Sequence, residues 1–328
     1  MDSTTQGRVV TFTANPSTDR TVLLDGPLAR GEVQRAASAT EQAAGKGINV
    51  ARVLAAAGIE TVAVLPFTDD AYQTMLFADL PSAMAVAAAD GAHRSRTNTT
   101  ITEPSGTTTK VNEPGPTLTP DDLEAAASTL LGEAEGAAWV ALSGSLPPGA
   151  PDDWYAHLTR RLTRLGCKVA IDTSDAALDA VLAALPDAAF DLIKPNSDEL
   201  AQLTGGDAAA FEAAAARGDV ADIVAAAHAL RARGIANVLV TLGGSGAVLA
   251  TAEGAWYTRA PAVVVRSTVG AGDSSVAGFI LAAVGGGSPA ECLAAAVAHG
   301  SAAASLPGTT LPIPRDLPAE GCQVVEIP

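Results

Sequence analysis

Short apolar runs of strand length alternate with helix-like patterns along almost the whole chain. The strand candidates are RVVTFT from Arg8, TVAVL from Thr61, AWVAL from Ala138, KVAID from Lys168, FDLIK from Phe190 and NVLVTL from Asn237. Helical patterns begin near Gly47, Asp70, Pro120, Asp152, Ser197, Asp219, Gly272 and Ser288. This alternation predicts an α/β fold in which helices cover both faces of a mostly parallel central sheet.

Two segments interrupt this rhythm, about 20–39 and 96–112. In the second, the Thr-rich runs RTNTTIT and TTTKVN flank the turn EPSG, which is typical of a hairpin. A sheet built from these segments has too little apolar surface to stand alone. We expect a small lid that projects from one domain spanning 1–328, covers a site there and pairs with another copy. The Ala-rich stretch 207–218 is expected to be a surface helix or loop.

The composition limits the classes of partner. Of the 328 residues, 48% are hydrophobic and 17% charged, so a large core is expected, and the formal net charge of -16 argues against nucleic acid or an anionic membrane surface. The sequence shows no apolar stretch of membrane-spanning length and no signal peptide at its start, so a cytoplasmic protein is expected. Cys167, Cys292 and Cys322 lack the spacing of a zinc site or a disulfide framework.

The strongest local signal is STVGAGDSS, residues 267–275, which follows the apolar run AVVVR and opens the apolar pattern SVAGFILAAV. Gly270 and Gly272 would let backbone N–H groups turn toward one point at a helix N-terminus, beside the carboxylate of Asp273. Such a place would stabilise a phosphoryl group while the carboxylate accepts a proton. An Asp that only caps a helix after a Gly turn has the same pattern. AVVVR is expected to be a strand.

Other Gly- and polar-rich turns give weaker signals. AGKGINVA, residues 44–51, is a Gly turn into a helix that would make a weak anion or polyol site, or only a helix start with one solvated Lys. In IKPNSDEL, Asn196 and Glu199 have a spacing suited to Mg²⁺ ligands or to helix capping. TLGGSGA, from Thr241, predicts a strand, a Gly turn and another strand, which would approach a flat ligand or form a plain hairpin.

Together these stretches resemble the ribokinase-like (PfkB) sugar kinase family, and within it the bacterial 1-phosphofructokinases. The match covers nearly the whole chain and follows the family's order. Its motifs are NPSTDR (15–20), AGKGIN (44–49), RTN (96–98), NEPGP (112–116), GSLPPG (144–149), KPN with Glu199, and VGAGD (269–273). The resemblance implies a three-layer α/β/α sandwich with a small β-sheet lid, use of ATP and Mg²⁺, and a homodimer that forms through the lid.

The resemblance also implies roles for individual residues. Asp19, Gly45 and Asn49 would hold sugar hydroxyls, and Lys46, Arg96 and Ser145, with Arg35 as a weaker candidate, would hold the phosphate of the substrate. Asp273 would be the base, with Gly270, Ala271 and Gly272 as the anion hole and Lys194 on the transferring phosphate. Asn196 and Glu199 would organise Mg²⁺ and its waters, and Thr241, Gly243 and Gly246, with Lys194, Asn196 and Gly272, would line the nucleotide.

Two departures from the family pattern stand out. Ala44 replaces the first Gly of the usual GGKG, and Asp175 stands where a Gly is common. The resemblance implies that the chain phosphorylates fructose 1-phosphate at its 6-hydroxyl to give fructose 1,6-bisphosphate and ADP. Tagatose 6-phosphate or fructose 6-phosphate as acceptor stays open. Alternatives of other classes are an NAD-dependent oxidoreductase, against which the absence of GxGxxG after the first strand argues, and a non-catalytic sugar-phosphate sensor.

Overall fold

The computed structural model describes residues 7–327, which contain a large sheet of ten strands and a separate sheet of four. The large sheet has the order β14-β13-β12-β11-β10-β9-β8-β1-β4-β5. Its strands are β1 (Val9–Thr13), β4 (Thr61–Leu65), β5 (Met84–Ala88), β8 (Trp139–Ser143), β9 (Lys168–Asp172), β10 (Phe190–Ile193), β11 (Ile235–Thr241), β12 (Ala247–Ala250), β13 (Ala255–Thr258) and β14 (Val324–Ile327). The strands from β11 to β5 are parallel, and β12, β13 and β14 add antiparallel strands at one edge.

Helices cover both faces of this sheet. They are α1 (Lys46–Ala56), α2 (Asp70–Ala78), α3 (Pro120–Ala134), α4 (Trp154–Thr163), α5 (Asp175–Ala183), α6 (Ser197–Thr204), α7 (Ala208–Ala216), α8 (Ala221–Arg231), α9 (Ala271–Val284) and α10 (Pro289–Ser305). Residues of α3 to α8 share one apolar core, while α1, α2, α9 and α10 build the cores of the opposite face. The predicted three-layer α/β/α sandwich is confirmed.

The central strands are apolar without alternation because both of their faces are covered. In β1, Val9 and Val10 are both fully buried, and they pack into cores on opposite sides of the sheet. Six of the seven strands expected from apolar runs are present, all but AVVVR, and the eight expected helices begin within two residues of the positions given.

The small sheet, which we call the lid sheet, has the order β3-β2-β6-β7. Its strands are β2 (Ser17–Leu23), β3 (Ser38–Ala44), β6 (Arg96–Thr102) and β7 (Thr108–Asn112). β2 pairs antiparallel with β3 and parallel with β6, and β6 and β7 form the expected hairpin. The strands of the first expected segment, about 20–39, extend beyond it, because the pairing of β2 with β3 runs from 17 to 44 and leaves the middle of the segment as a loop.

One expected strand is absent within residues 7–327. The run AVVVR, 262–266, is not a strand, and the side chains of Val264 and Val265 are 79% and 63% exposed. The N–H groups of Arg266 and Ser267 donate to the carbonyl oxygen of Ala304 at the end of α10 instead of to a sheet. β-Branched composition was therefore misleading here, since the run pairs with no strand among residues 7–327.

The stretch 207–218 is a helix, α7, and not a loop. The side chain of Asp207 accepts hydrogen bonds from the N–H groups of Ala209 and Ala210, and Phe211 is buried on the inner face. No helix in residues 7–327 is both long enough and apolar enough to cross a membrane.

Candidate active site

A cavity of about 430 Å³ lies where the carboxyl ends of β1, β8, β9 and β10 meet the starts of α1 and α9. Ligands of open α/β sheets bind at this edge, because the loops that follow parallel strands converge there. The lining consists of Thr13, Asn15, Ser17, Asp19, Gly45, Lys46, Asn49, Arg96, Asn98, Gly144, Ser145, Asp172, Ser174, Lys194, Thr268, Val269, Gly270, Gly272 and Asp273. Four of these residues, Ser17, Asp19, Arg96 and Asn98, come from the lid sheet.

Asp273 is buried in the first turn of α9, and it faces the cavity. The helix begins at Gly270, whose φ of 76° is in the left-handed region that glycine adopts without strain. The N–H groups of Gly272 and Asp273 have no acceptor among residues 7–327. Asn49 of α1 donates a hydrogen bond of 2.7 Å from Nδ2 to Oδ2 of Asp273. A carboxylate and unpaired amide donors therefore share one helix N-terminus.

A second buried carboxylate, Asp172 at the end of β9, lies between two lysines. Its Oδ2 is 3.3 Å from Nζ of Lys46, and its Oδ1 is 3.5 Å from Nζ of Lys194. The side chains of Asp172 and Lys194 are almost completely buried, whereas that of Lys46 is 39% exposed. Asp172 was not among the residues expected from the sequence, and it holds two that were.

The two carboxylates have opposite shifts in pKa. Burial raises the pKa of Asp172, but the charges of Lys194 and Lys46 outweigh burial and hold it below its ordinary value. Burial and the negative charge of Asp172 raise the pKa of Asp273 to about 6, against lowering by Lys46, Asn49 and Lys194. Asp172 in turn raises the pKa of the Lys46 ammonium. Asp172 is thus held as an anion, whereas Asp273 is a carboxylate whose pKa lies near neutrality.

The opposite side of the cavity carries a cation from the lid. Arg96, the first residue of β6, donates from Nη2 to Oγ of Ser145 at 3.3 Å and from Nη1 to the carbonyl oxygen of Glu113 at 3.3 Å. Its Nε is buried and has no partner within residues 7–327. Since a buried guanidinium N–H is costly to leave unpaired, this donor is suited to an anionic ligand.

Asp19 stands next to this cation on β2. Its Oδ1 accepts hydrogen bonds from Oγ of Ser17 at 3.0 Å and from Nδ2 of Asn98 at 3.1 Å. Burial raises the pKa of Asp19 despite these two donors and the charge of Arg96. Oδ2 of Asp19 makes no hydrogen bond to residues 7–327, which leaves an acceptor for a ligand hydroxyl.

The Gly turn before α1 lets this helix approach β1 closely. A Cβ on Gly45, whose φ is 145°, would collide with Cγ2 of Thr13, and one on Gly47 would lie 2.6 Å from Oγ1 of the same Thr13. That Oγ1 accepts a hydrogen bond of 2.9 Å from the N–H of Ile48. The sequence GKG therefore fixes Lys46 over the end of β1, beside Asp172.

Asn196 and Glu199 form a capping box at the start of α6. Oδ1 of Asn196 accepts from the N–H of Glu199 at 2.8 Å, and Oε2 of Glu199 accepts from the N–H of Asn196 at 2.9 Å. Oε1 of Glu199 makes no hydrogen bond to residues 7–327. No cluster of three His, Cys, Asp or Glu residues in this range could hold a metal ion. The free oxygen fits a hydrated Mg²⁺, which binds through few carboxylates, and not a metal held by protein ligands alone.

The expected nucleotide residues lie beside this box. Thr241 forms a bridge with Asn196, and its N–H donates to the carbonyl oxygen of Pro195 at 2.9 Å. Gly243 starts a 3₁₀ turn between β11 and β12, as the sequence predicted, and a Cβ on Gly246 would collide with the carbonyl oxygen of Thr258.

The structure brings most of the expected site residues together. Ten of them line the cavity: Asp19, Gly45, Lys46, Asn49, Arg96, Ser145, Lys194, Gly270, Gly272 and Asp273. The others do not: Arg35, Ala271, Asn196, Glu199, Thr241, Gly243 and Gly246. Arg35 is exposed in the loop between β2 and β3. Asp172 was missed because DTS, which begins with the last residue of β9, has no unusual spacing, although a polar run at the end of a buried strand was a usable signal.

Fold and site together define a carbohydrate kinase. The sequence profile described as pfkB family carbohydrate kinase matches residues 13–316, and the chain belongs to this family. It is an ATP-dependent sugar kinase, so the alternative of an NAD-dependent oxidoreductase is wrong.

The sequence is similar to those of named relatives over most of the chain. It is 37% identical over 316 residues to a 1-phosphofructokinase of Rhodobacter capsulatus, with 95% of each chain covered. It is 38% identical over 282 residues to a 1-phosphofructokinase of Xanthomonas campestris, with 84% of each covered. The structure of phosphofructokinase-2 from Escherichia coli in complex with substrates and products is similar, with a TM-score of 0.82, 28% identity, and coverage of 94% of this chain and 96% of that one.

Proposed function

We propose that this kinase transfers a phosphoryl group from ATP to the 6-hydroxyl of fructose 1-phosphate and releases fructose 1,6-bisphosphate and ADP. One observation carries the proposal. The cavity that holds buried Asp273 at an amide-rich helix start also holds two cations, Lys46 and Arg96, on its acceptor side. A neutral sugar would leave the buried Nε of Arg96 without an anion. The names of the relatives favour the 1-phosphate of a ketohexose.

The acceptor would be held by its phosphate and by its hydroxyls. Arg96, Ser145 and Lys46 bind the phosphate through charge-assisted hydrogen bonds, and the resting contact of Arg96 with Ser145 already aims both groups at one point. Asp19 and Asn49, together with the backbone at Gly45, bind the sugar hydroxyls. Arg35 is left without a role inside the cavity of its own chain, because it lies on the exposed loop.

The donor would enter from the side of α6 and β11. Lys194 reaches the transferring phosphate, while Asn196, Thr241, Gly243 and Gly246 line the nucleotide. The Gly270–Ala271–Gly272 turn supplies amide donors where negative charge develops on the phosphoryl oxygens. Bound Mg²⁺ supplies charge neutralisation at the phosphates, and Glu199, through Oε1, and Asn196 hold its waters.

Asp273 would act as the general base. Its carboxylate accepts the proton of the 6-hydroxyl while that oxygen forms a bond to the γ-phosphorus and the bond from phosphorus to the bridging oxygen of ADP breaks. The hydrogen bond from Asn49 fixes one carboxylate oxygen, so the other is free for the proton. Asp172 holds Lys46 on the acceptor side and Lys194 on the donor side.

We also propose that the chain is one kinase domain whose lid sheet pairs with a second copy. All five residues of β7 are exposed, and the side chains of Leu23 and Val111 are 43% and 58% exposed. Burial of this sheet against another lid would remove that apolar surface from water. Sedimentation of the protein should therefore give the mass of a dimer, and Val111→Lys should give a monomer.

The test of the reaction is coupled detection of ADP with fructose 1-phosphate, fructose 6-phosphate and tagatose 6-phosphate at equal concentrations. The proposal expects the highest kcat/KM with fructose 1-phosphate. A higher value with either 6-phosphate would change the assigned acceptor but not the site. No ADP release with any of the three would leave a sensor that binds without turnover.

A further inference from the structure

Two strands of the lid sheet join the main domain directly beside the proposed phosphate-binding cations. β3 ends at Ala44 and is followed by Gly45 and Lys46, while β6 begins at Arg96. The residue before Arg96, Ser95, is 5% exposed. We call the end of each strand that joins the main domain its root. The position of each cation therefore depends on how the root of its strand is held.

The root of β6 is held by the carboxylate of Asp69, the residue that caps the start of α2. Oδ2 of Asp69 accepts hydrogen bonds from the N–H of Ser95 at 2.7 Å and from its Oγ at 2.6 Å. Oδ1 of the same Asp69 accepts from the N–H of Tyr72 at 3.0 Å, which caps the helix. Desolvation raises the pKa of Asp69, but the hydrogen bonds from Ser95, Tyr72 and Ala71 outweigh it and lower the pKa below its ordinary value. The link is thus between an ionised carboxylate and buried donors.

The root of β3 is held by two side chains on the same side of the fold. Oη of Tyr72, which is completely buried, donates to the carbonyl oxygen of Ala44 at 2.9 Å. Nη1 of Arg52 on α1 donates to the neighbouring carbonyl oxygen of Ala43 at 3.1 Å. Two consecutive carbonyl groups immediately before the Gly turn are therefore fixed.

We propose that Asp69, Tyr72 and Arg52, which we call the lid anchor, are positioning residues that set Arg96 and Lys46 for the phosphate of the acceptor. None of the three lines the cavity, so they act through the backbone of the two strands. Because the start of α2 binds both roots, it fixes the separation of two cations that come from different strands. This inference rests on the proposed phosphosugar substrate, and it assigns a function to residues that the proposed reaction does not use.

Asp69→Asn separates this role from capping. The amide oxygen can still accept from Tyr72, whereas the NH₂ group cannot accept from the N–H of Ser95. We expect the KM for fructose 1-phosphate to rise about tenfold, the effect of one charge-assisted hydrogen bond, while the KM for ATP and kcat stay within about twofold. Asp70→Asn is the matched control. Asp70 is exposed in the same turn and does not contact Ser95, so this substitution removes the same charge without breaking the link. It should leave all three constants unchanged.

Two further variants test the links themselves. Ser95→Ala combined with Asp69→Asn should raise the KM for the phosphosugar no more than Asp69→Asn alone, because both changes break one link. Tyr72→Phe removes only a hydroxyl, so it should raise the same KM by severalfold in a protein that keeps its fold. It serves as the second variant if Asp69→Asn melts at a lower temperature.

Separate results would overturn this inference and the proposed function. If the wild-type protein turned over no phosphorylated sugar, both the proposed function and the role of the lid anchor would be refuted. If the wild-type protein turned over a phosphorylated sugar and Asp69→Asn and Tyr72→Phe left the KM for that sugar unchanged, only the role of the lid anchor would be refuted. An equal rise in the KM for ATP would also overturn it, since this is the result of general loosening of the fold.

Discussion

The pKa of Asp273 makes a quantitative prediction about the variant Asp273→Asn. Burial and the charge of Asp172 raise this pKa to about 6 from the ordinary value of 3.8. Each pH unit between these values corresponds to about 1.4 kcal/mol, so the ionised carboxylate destabilises the folded protein by up to about 3 kcal/mol. Asparagine has no charge, and its Oδ1 can still accept the hydrogen bond from Asn49.

The sign of the pH dependence follows from the proton uptake. Between pH 3.8 and about 6 the folded protein binds a proton at Asp273 that the unfolded chain does not hold. The destabilisation is therefore complete above pH 6, falls as the pH is lowered, and is absent below the ordinary pKa. Asp273→Asn should be more stable than the wild type by up to about 3 kcal/mol at pH 7.5, and nearly equal to it at about pH 4.

The same change should nearly abolish turnover. A general base contributes typically about 10²- to 10⁴-fold to the rate, so kcat should fall by at least about a hundredfold. The measurements are urea unfolding at the two pH values and ADP release at saturating substrates. Asp198→Asn is the control. Asp198 is exposed in the first turn of α6, so this substitution removes the same charge from a similar position in a helix, but from a solvated carboxylate.

Two results would refute this reasoning. Near-wild-type kcat in Asp273→Asn would show that this residue is not the base. A gain in stability that stays the same from pH 7.5 to about pH 4 would show that the pKa of Asp273 does not lie well above its ordinary value, whatever the effect on turnover. The stability result and the rate result are independent.

Three other changes test neighbouring parts of the structure. Asp172→Asn removes the partner of Lys46 and Lys194 and should lower kcat/KM by about a hundredfold, while the acid limb of its pH profile moves to lower pH because an anion beside the base is lost. Arg96→Ala should raise the KM for the phosphosugar about ten- to a hundredfold and leave the KM for ATP unchanged, as measured by steady-state kinetics. Asp175 has a φ of 57°, so Asp175→Gly should be more stable in urea than Asp175→Ala by about 1 kcal/mol.

The central fold was predictable from the sequence because buried parallel strands leave a plain signal. Strands covered on both faces are short apolar runs without alternation, and six of the seven expected from such runs are present. Edge strands gave no such signal. β5 and β14 pair on one side only, and their residues are mostly half-exposed, so their composition is not distinctive.

The wrong strand at 262–266 shows the limit of propensity. Three consecutive valines favour a strand, but the chain has already completed the antiparallel edge with β13, and β14 occupies the place beside it. Strand formation depends on a free neighbour in the sheet, and a local pattern does not contain that information.

The site was predictable where one short segment carries a turn and a charge, as in the segments with Lys46 and Asp273. It was not predictable where a side chain acts through distant partners. Asp172 and Asp69 come from segments without unusual spacing, and their importance lies in contacts with residues from other strands and helices. The departure at Asp175, in contrast, has a local reason, because its left-handed backbone is one that glycine adopts freely.

The pair of buried carboxylates links the cost of Asp273 to the fold with its proposed role as general base. Asp172 is kept ionised by two lysines, and its fixed negative charge, added to burial, raises the pKa of Asp273 toward neutrality. With a pKa of about 6, Asp273 is still mostly ionised at pH 7, yet it binds a proton much more tightly than a solvated aspartate does. The free energy that destabilises the fold is therefore the same free energy that makes Asp273 a better proton acceptor. Loss of the Asp172 charge should lower the pKa of Asp273 and, with it, the part of the destabilisation that this charge causes, so the two change together at Asp273.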